Sequence, residues 1–482
     1  MTMAPVAHWP TNHPPPFMTP PQRTLVLFNH DWDAIAHRRL AAEHGLAFDS
    51  EGFDLFSFPS NARLVWFDMG RFVSGLARKA RAKGWTGVTS NQEQFGALAA
   101  ALLAERMGWP GTSVAAILAC QHKLYARQVL QRVAPEANVQ FQLLEAEYGS
   151  PIPEGLSYPL FVKPVKAAFS VLARRVESRE ELHAHTRFGF WELWVIRRLV
   201  EPFERMARKR LGAGVPSAHR MLLEEPAQAD QFNLDGYVFH GEAHAIGVVD
   251  AIMYPGTQAF MRHEAPSRLP GAVQARALDV ARRFLEAVGF THGLFNMEFF
   301  YDAASERLTV IEFNPRMASQ YSDLYQRTLG IDMHAMALAL AHGQDPAEVP
   351  RRAPTAGATA SFVYRLFDPA ETVAMPSEAQ VAAFHTAFPD GILFTYPRSA
   401  GSTARDFKWL GSFRYGITHL GGRDAADLRE RCEQASALLG WPAPYAELPL
   451  ATSPGAPGHI VSASGASRPE GLPLSSTPKV IS

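Results

Sequence analysis

The run FNMEFFYDAASERLTVIEFNPR, residues 295–316, constrains this chain more than any other stretch. Two apolar, strand-like segments flank a polar loop at 302–307, the pattern of an antiparallel hairpin. Glu298 and Glu312 lie nearly equidistant from its centre, which predicts that they face each other across the pair. Strand side chains alternate, so Glu312 and Asn314 share a face. Opposed carboxylates repel unless a cation lies between them. Hard oxygen ligands suit Mg²⁺, which keeps waters and phosphate oxygens in its shell. The alternative, a solvated acidic face, fits poorly with glutamates embedded among Phe, Met, Ile and Val. Arg316 adds a fixed cation whose planar fork matches a carboxylate or phosphate oxygen, against the alternative of an ordinary surface ion pair.

Around this hairpin the chain divides into regions. Residues 1–22 form a proline-broken leader, which opposes a helical signal peptide. A β-type run at 24–29, a helix through Ile35 and Leu40, a second strand candidate at 63–68, a helix at 72–83, strand GVTS and an alanine-rich helix at 93–107 follow. That alternation predicts a Rossmann-like α/β domain over 23–112. Over 113–345 strands come in runs, at 158–165, 220–226, 232–240, 243–253 and in the hairpin, with segregated helices, which predicts α+β. Residues 186–220 are helical in tendency with a basic patch at 205–210, read as a solvated amphipathic face, a flap or a partner surface. A third region, 346–450, has strand-like 361–367, 391–397 and 413–422 before a helix at 425–439, giving a C-terminal α+β region. The Ser-, Pro- and Gly-rich tail, 451–482, cannot bury enough surface to offset its ordering entropy.

A formal net charge of -1 gives no global pull toward nucleic acid or anionic membrane, so any anion must be caught locally. The two cysteines, Cys120 and Cys432, have no paired spacing, which argues against a disulfide framework or thiolate zinc site and for a reducing, cytoplasmic setting. No apolar run approaches the roughly 20 residues of a membrane-spanning helix.

Lys163 interrupts the apolar strand LFVKPV, where an unpaired ammonium is costly unless it meets an anion or reaches the edge. Lys123, in ACQHKLYAR, reads alone as an exposed helix lysine. LLEEPAQADQF has the form of a strand that stops at Pro226 and resumes at Phe232, leaving main-chain groups of 224–227 for an adenine edge or for a plain turn.

In this order, the two lysines, the Glu-Glu hinge, the Glu298 strand and the E-x-N-P-R strand resemble the ATP-grasp superfamily, and more closely its carboxylate-amine (peptide-forming) ligase branch, over about 113–342. The resemblance implies a central ATP-grasp domain with ATP as cofactor: Lys123, Lys163 and Ser170 at phosphates, and Glu224, Glu225, Pro226, Ala227 and Gln231 around the nucleotide. It also implies Glu298, Glu312 and Asn314 on Mg²⁺, with Mn²⁺ as a substitute, and Arg316 as the catalytic cation near the γ-phosphate and acyl phosphate. His263 and Arg268, in FMRHEAPSRLP, are acceptor-contact candidates beside the alternative of a surface loop. The implied partners are a small-molecule carboxylate and an amine, with neither nucleic acid nor membrane, and a homodimer is the assembly such proteins suggest.

Three departures stand out. KPVKAAFS keeps Ser170 but lacks the glycines of a phosphate loop, Gln231 replaces the usual glutamate, and NPR continues into MASQYSD. The implied reaction is activation of a carboxylate as an acyl phosphate, attack by an amine, and release of amide, ADP and phosphate. The competing expectations are biotin-carboxylase-like activation of bicarbonate and a non-catalytic ATP-binding protein of the same fold. No G-x-S-x-G elbow or G-x-x-x-x-G-K-[ST] loop is present.

Overall fold

A computed structural model of the chain describes residues 22–54, 60, 63, 66–146, 150–167, 172–212, 214–227, 229–397, 406–407 and 410–445. Ser170 lies outside the described residues.

The first domain is a three-stranded parallel sheet ordered β2-β1-β3, from β1 (Arg23–Leu27), β2 (Ala47–Glu51) and β3 (Gly87–Thr89). Helices α1 (Asp31–His44), α2 (Met69–Lys83) and α3 (Gly96–Met107) link and cover it. The alternating pattern is thus realised, with one correction. The second strand is Ala47–Glu51, not 63–68, of which the described residues 66–68 lie in a turn leading into α2. AFDSE is half-buried at a sheet edge and, among the described residues, pairs only with β1, so it carries little apolar signal. Asp68 then caps α2, accepting from Arg71 N–H at 2.8 Å.

Helices α4 (Val114–Gln121) and α5 (Lys123–Val133) meet at His122, whose imidazole accepts from Tyr125 N–H at 3.1 Å and so starts α5 with Lys123 as its first residue. A four-stranded antiparallel sheet, ordered β4-β7-β5-β6, comprises β4 (Phe141–Leu143), β5 (Leu160–Pro164), β6 (Arg174–Val176) and β7 (Met221–Glu224). Between β6 and β7 run α6 (Arg179–Thr186) and the long α7 (Phe190–Leu211). Val200, Phe203 and Ala207 of α7 join the first domain's core with Leu98, Leu103 and Ile117. Within the 186–220 segment, Phe190–Leu211 is therefore a packed helix, while Phe190 and Trp191 at its start remain exposed.

The large sheet has eight antiparallel strands ordered β12-β11-β8-β9-β10-β13-β15-β14. These are β8 (Asp230–Phe239), β9 (Glu242–Met253), β10 (Phe260–Ala265), β11 (Gly293–Asp302), β12 (Arg307–Asn314), β13 (Ala358–Leu366), β14 (Ile392–Thr395) and β15 (Phe413–Gly422). The last three come from the third region, so that region continues the central sheet. Helix α8 (Gly271–Ala287) packs its apolar stripe, Ala277, Val280, Ala281 and Phe284, on one face, where Phe284 stacks on Phe313 at 3.7 Å between ring centroids. Helices α9 (Ser319–Leu329) and α10 (Met333–Ala341) contribute to a separate core with Ile246, Val249 and Leu294. Helices α11 (Glu378–Ala387) and α12 (Ala425–Leu439) complete the C-terminal region.

Gly236 marks the tightest point of β8. A Cβ there would meet His244 O at 2.4 Å and the Phe295 ring at 2.5 Å. Gly236→Ala is expected to destabilise the protein by about 1–3 kcal/mol, read as a lower urea midpoint at unchanged slope.

Candidate active site

The hairpin forms, and a one-residue irregularity beside Glu298 brings Glu312, rather than Ile311, opposite it. Glu298 pairs with Glu312 and Asn296 with Asn314, and a register shift follows Glu298. All four side chains project from one face, beside Asn233 and Asp235 of β8. Asn314 Nδ2 donates to Glu298 Oε1 at 3.1 Å and to Asn296 Oδ1 at 3.3 Å, and Asn296 donates to Asp235 at 3.1 Å. A polar row thus crosses three strands.

Cations reach the row from three elements. Lys123, at the start of α5, contacts Glu312 directly. Lys163, from β5, sits 2.8 Å from Glu224 and donates to Ile311 O at 3.3 Å. Arg316, just past β12, donates to Asn314 Oδ1 at 3.3 Å and lies 3.1 Å from Glu93 of the first domain.

The electrostatics separate the two carboxylates. Burial pushes Glu298 above the usual carboxylate range, and the Glu312 charge opposite adds to it. Burial also opposes ionisation of Glu312, but Lys123 foremost, then Lys163 and Arg316, hold it below that range. Burial pulls Lys163 down to about 8 against the pull of Glu224.

A hard divalent cation fits this donor set, because it would relieve the burial and repulsion that disfavour charge on Glu298. Among the described residues no three His, Cys, Asp or Glu gather to hold a metal, so Asn314 and phosphate oxygens would complete the shell. Asn314 presents its amide nitrogen to Glu298 and its oxygen to Arg316, so ligation calls for the amide turned over.

The remaining sequence candidates divide. Gln231 Nε2 donates to Glu298 Oε2 at 3.1 Å, a bond a glutamate there could not make while both were ionised. Its place is thus beside the carboxylates. Glu224 is buried between Lys163 and Arg127, whose Nε is 2.6 Å away, and Glu225 N–H donates to Gln140 O at 3.0 Å. The hinge therefore spends its first side chain and an amide inside the protein, with Pro226 and Ala227 next along the chain. The Glu225 side chain is half-exposed and 3.8 Å from Arg307. His263 is buried on the same face as Gln231, with Gln320 Nε2 at 3.4 Å from its Nδ1. Arg268 is not brought to the cluster. It lies 2.7 Å from Asp230 and 5.5 Å above the Phe232 ring, which leaves the sheet on the opposite face.

Three residues escaped sequence reasoning. Arg127 stands one helical turn after Lys123 and donates to Val310 O at 2.7 Å and Ile311 O at 3.1 Å, tying α5 to β12. Its spacing from Lys123 was the available signal. Glu93 and Lys166 are buried ions whose contacts cross between regions distant in sequence, and no local pattern marks them.

Residues 156–323 match the family model described as an ATP-grasp domain. The match contains Lys163, the hinge and the whole acidic hairpin, while Lys123 precedes it. Solved structures share the fold over most of the chain. An L-amino acid ligase from Bacillus licheniformis superposes with a TM-score of 0.61 at 16% identity, over 86% of this chain and 96% of that one. Biotin carboxylase from Campylobacter jejuni gives 0.57 at 14% identity, over 86% and 91%. Among curated proteins, carnosine synthase 1 of Gallus gallus is 30% identical over 266 residues, 53% of this chain and 27% of that protein. The chain thus spans about a quarter of the length of this relative. No described helix is long and apolar enough to cross a membrane.

Two outcomes test this site physically. Arg127→Met strands Glu224 with Lys163 alone and is expected to cost about 3 kcal/mol in chemical unfolding. Burial, then the charges of His419 and Arg365, pull His263 down to about 3 from an ordinary 6.5. Between those values the unfolded chain binds the extra proton, so this contribution is complete above pH 6.5 and is lost as pH falls through the window. His263→Gln is expected to flatten the acid limb of stability by about 1.4 kcal/mol per pH unit, measured by urea unfolding between about pH 6 and pH 4.

Proposed function

We propose that the protein is an ATP- and Mg²⁺-dependent, ADP-forming ligase that joins a small carboxylate to an amine. One observation carries this reading: Glu298 and Glu312 face each other beside Asn314, with Lys123, Lys163 and Arg316 gathered around them. Amino acids are the first carboxylates to consider, since an L-amino acid ligase shares the fold. The buried free thiols Cys120 and Cys432 fit a reducing compartment such as the cytoplasm. A homodimer and the absence of nucleic-acid partners belong to the same reading.

Glu298, Glu312 and Asn314 would hold Mg²⁺, with Mn²⁺ as a substitute; bound there, the ion offsets phosphate charge. Lys123 and Lys163 bind and orient the phosphates of ATP, and the main chain around Glu225 to Ala227 borders the base. A carboxylate oxygen of the substrate attacks the γ-phosphorus, the bond to the β-phosphate bridging oxygen breaks, and ADP leaves. The amine nitrogen then attacks the acyl carbon, phosphate departs with the bonding pair, and the nitrogen loses a proton. Arg316 stabilises the oxyanion of that second step, and His263 lies on the acceptor side of the same face.

The test is release of ADP and phosphate by the purified protein with ATP and Mg²⁺, across amino acids, dipeptides, small acids and bicarbonate. Substrate-dependent ADP formation is expected, reduced at least about 100-fold in Glu312→Ala and Arg316→Ala. If ATP binds and no acid, amine or bicarbonate stimulates turnover, the ligase reading fails.

A further inference from the structure

Lys166 ranks among the largest fully buried side chains of the described residues. It stands in the turn that leaves β5, three residues after Lys163. Its Nζ lies 3.5 Å from Glu93 Oε1 and donates to the Glu93 carbonyl oxygen at 3.3 Å. The other carboxylate oxygen, Oε2, is 3.1 Å from Arg316 Nε. One carboxylate of the first domain therefore spans two cations, one delivered by the four-stranded sheet and one by the end of the acidic hairpin.

Helix α7 closes this contact from outside. The Phe203 ring sits 5.1 Å from Lys166 Nζ, and Gln94, next to Glu93, donates to Leu199 O at 2.7 Å. Arg210 near the end of α7 meets Glu105 of α3 at 2.6 Å. Helix α7 thus walls in a lysine of the segment KPVKAAFS, which lacks the glycines of a phosphate loop.

A free carboxylate prefers to take an arginine side-on, with both oxygens on the fork. Lys166 occupies one oxygen of Glu93, which leaves a single oxygen for Arg316 and an end-on contact at Nε. We propose that Lys166 is a positioning residue that acts through Glu93 to direct the Arg316 guanidinium at the terminal phosphate of a bound nucleoside triphosphate, and that α7 holds it there. Without Lys166, Glu93 turns both oxygens to Arg316 and draws the guanidinium away. This rests on the nucleotide reading above.

The experiment measures the affinities of Mg-ATP and Mg-ADP by calorimetry for the wild-type chain, Lys166→Met, Lys166→Arg and Arg316→Ala. Arg316→Ala is expected to lower the ATP-to-ADP affinity ratio. Lys166→Met lowers it in the same direction by about tenfold, the scale of one misdirected charge-assisted hydrogen bond, with ADP affinity unchanged. Lys166→Arg restores the ratio. A purely structural lysine weakens both nucleotides together and leaves the ratio intact, which overturns the proposal, as does an unchanged ratio in Arg316→Ala. Should Lys166→Met bind neither nucleotide, Lys166→Arg decides: a wild-type ratio supports the proposal and a ratio like that of Arg316→Ala overturns it. Wild-type protein that binds neither nucleotide sinks the nucleotide reading and this proposal with it.

Discussion

Burying two carboxylates opposite each other on adjacent strands is the constraint on which the rest of the site depends. Glu298 and Glu312 are paired by hairpin register, and that register cannot slip by one residue without turning Phe299, Val310 and Phe313 out of the core beneath α8. Their mutual repulsion in a poorly solvated place must be met by cations and donors. Lys123 serves Glu312, while Gln231 and Asn314 serve Glu298. Gln231 is then an electrostatic accommodation: an amide donates where a third carboxylate would add to the repulsion.

Each charge brought to the hairpin needs its own support, and that support ties the regions together. Lys163 needs Glu224, Glu224 needs Arg127, and Arg127 donates to the backbone of β12, closing a ring through α5, β7 and the hairpin. Arg316 and Lys166 need Glu93, which draws the first domain in. The first domain is also locked to α9 and α10 through a buried relay in which Asp33 lies 3.0 Å from His334 and His334 lies 2.9 Å from Ser322. Removing one ion from such a ring leaves another buried and unmatched, which costs far more than a surface pair.

Much of this was legible without coordinates. The period-two alternation of 295–314, with its short polar loop, defines the hairpin and brings both carboxylates near each other because both follow from local geometry, while the irregularity after Glu298 that sets them face to face was not legible. The apolar runs that became β5, β7, β8 and β9 and the helix at 425–439 were legible for the same reason. The strand at Ala47–Glu51 was not, since a half-buried edge strand needs few apolar residues. The inward turn of Glu224 was also hidden: the strand pattern marks the position, but its partners are 97 and 61 residues away, a separation read from Arg127 and Lys163.

The sequence by itself determined the chemistry available: two carboxylates, an amide and an arginine on one hairpin, with a lysine in an apolar strand. Only the tertiary structure decided which lysine meets which carboxylate, that Arg268 leaves by the other face, and that Glu93 and Lys166 belong beside Arg316. The physical reason is range. Strand alternation and turn chemistry act over a few residues, whereas the pairing of buried charges is settled by which distant surfaces the hydrophobic cores press together.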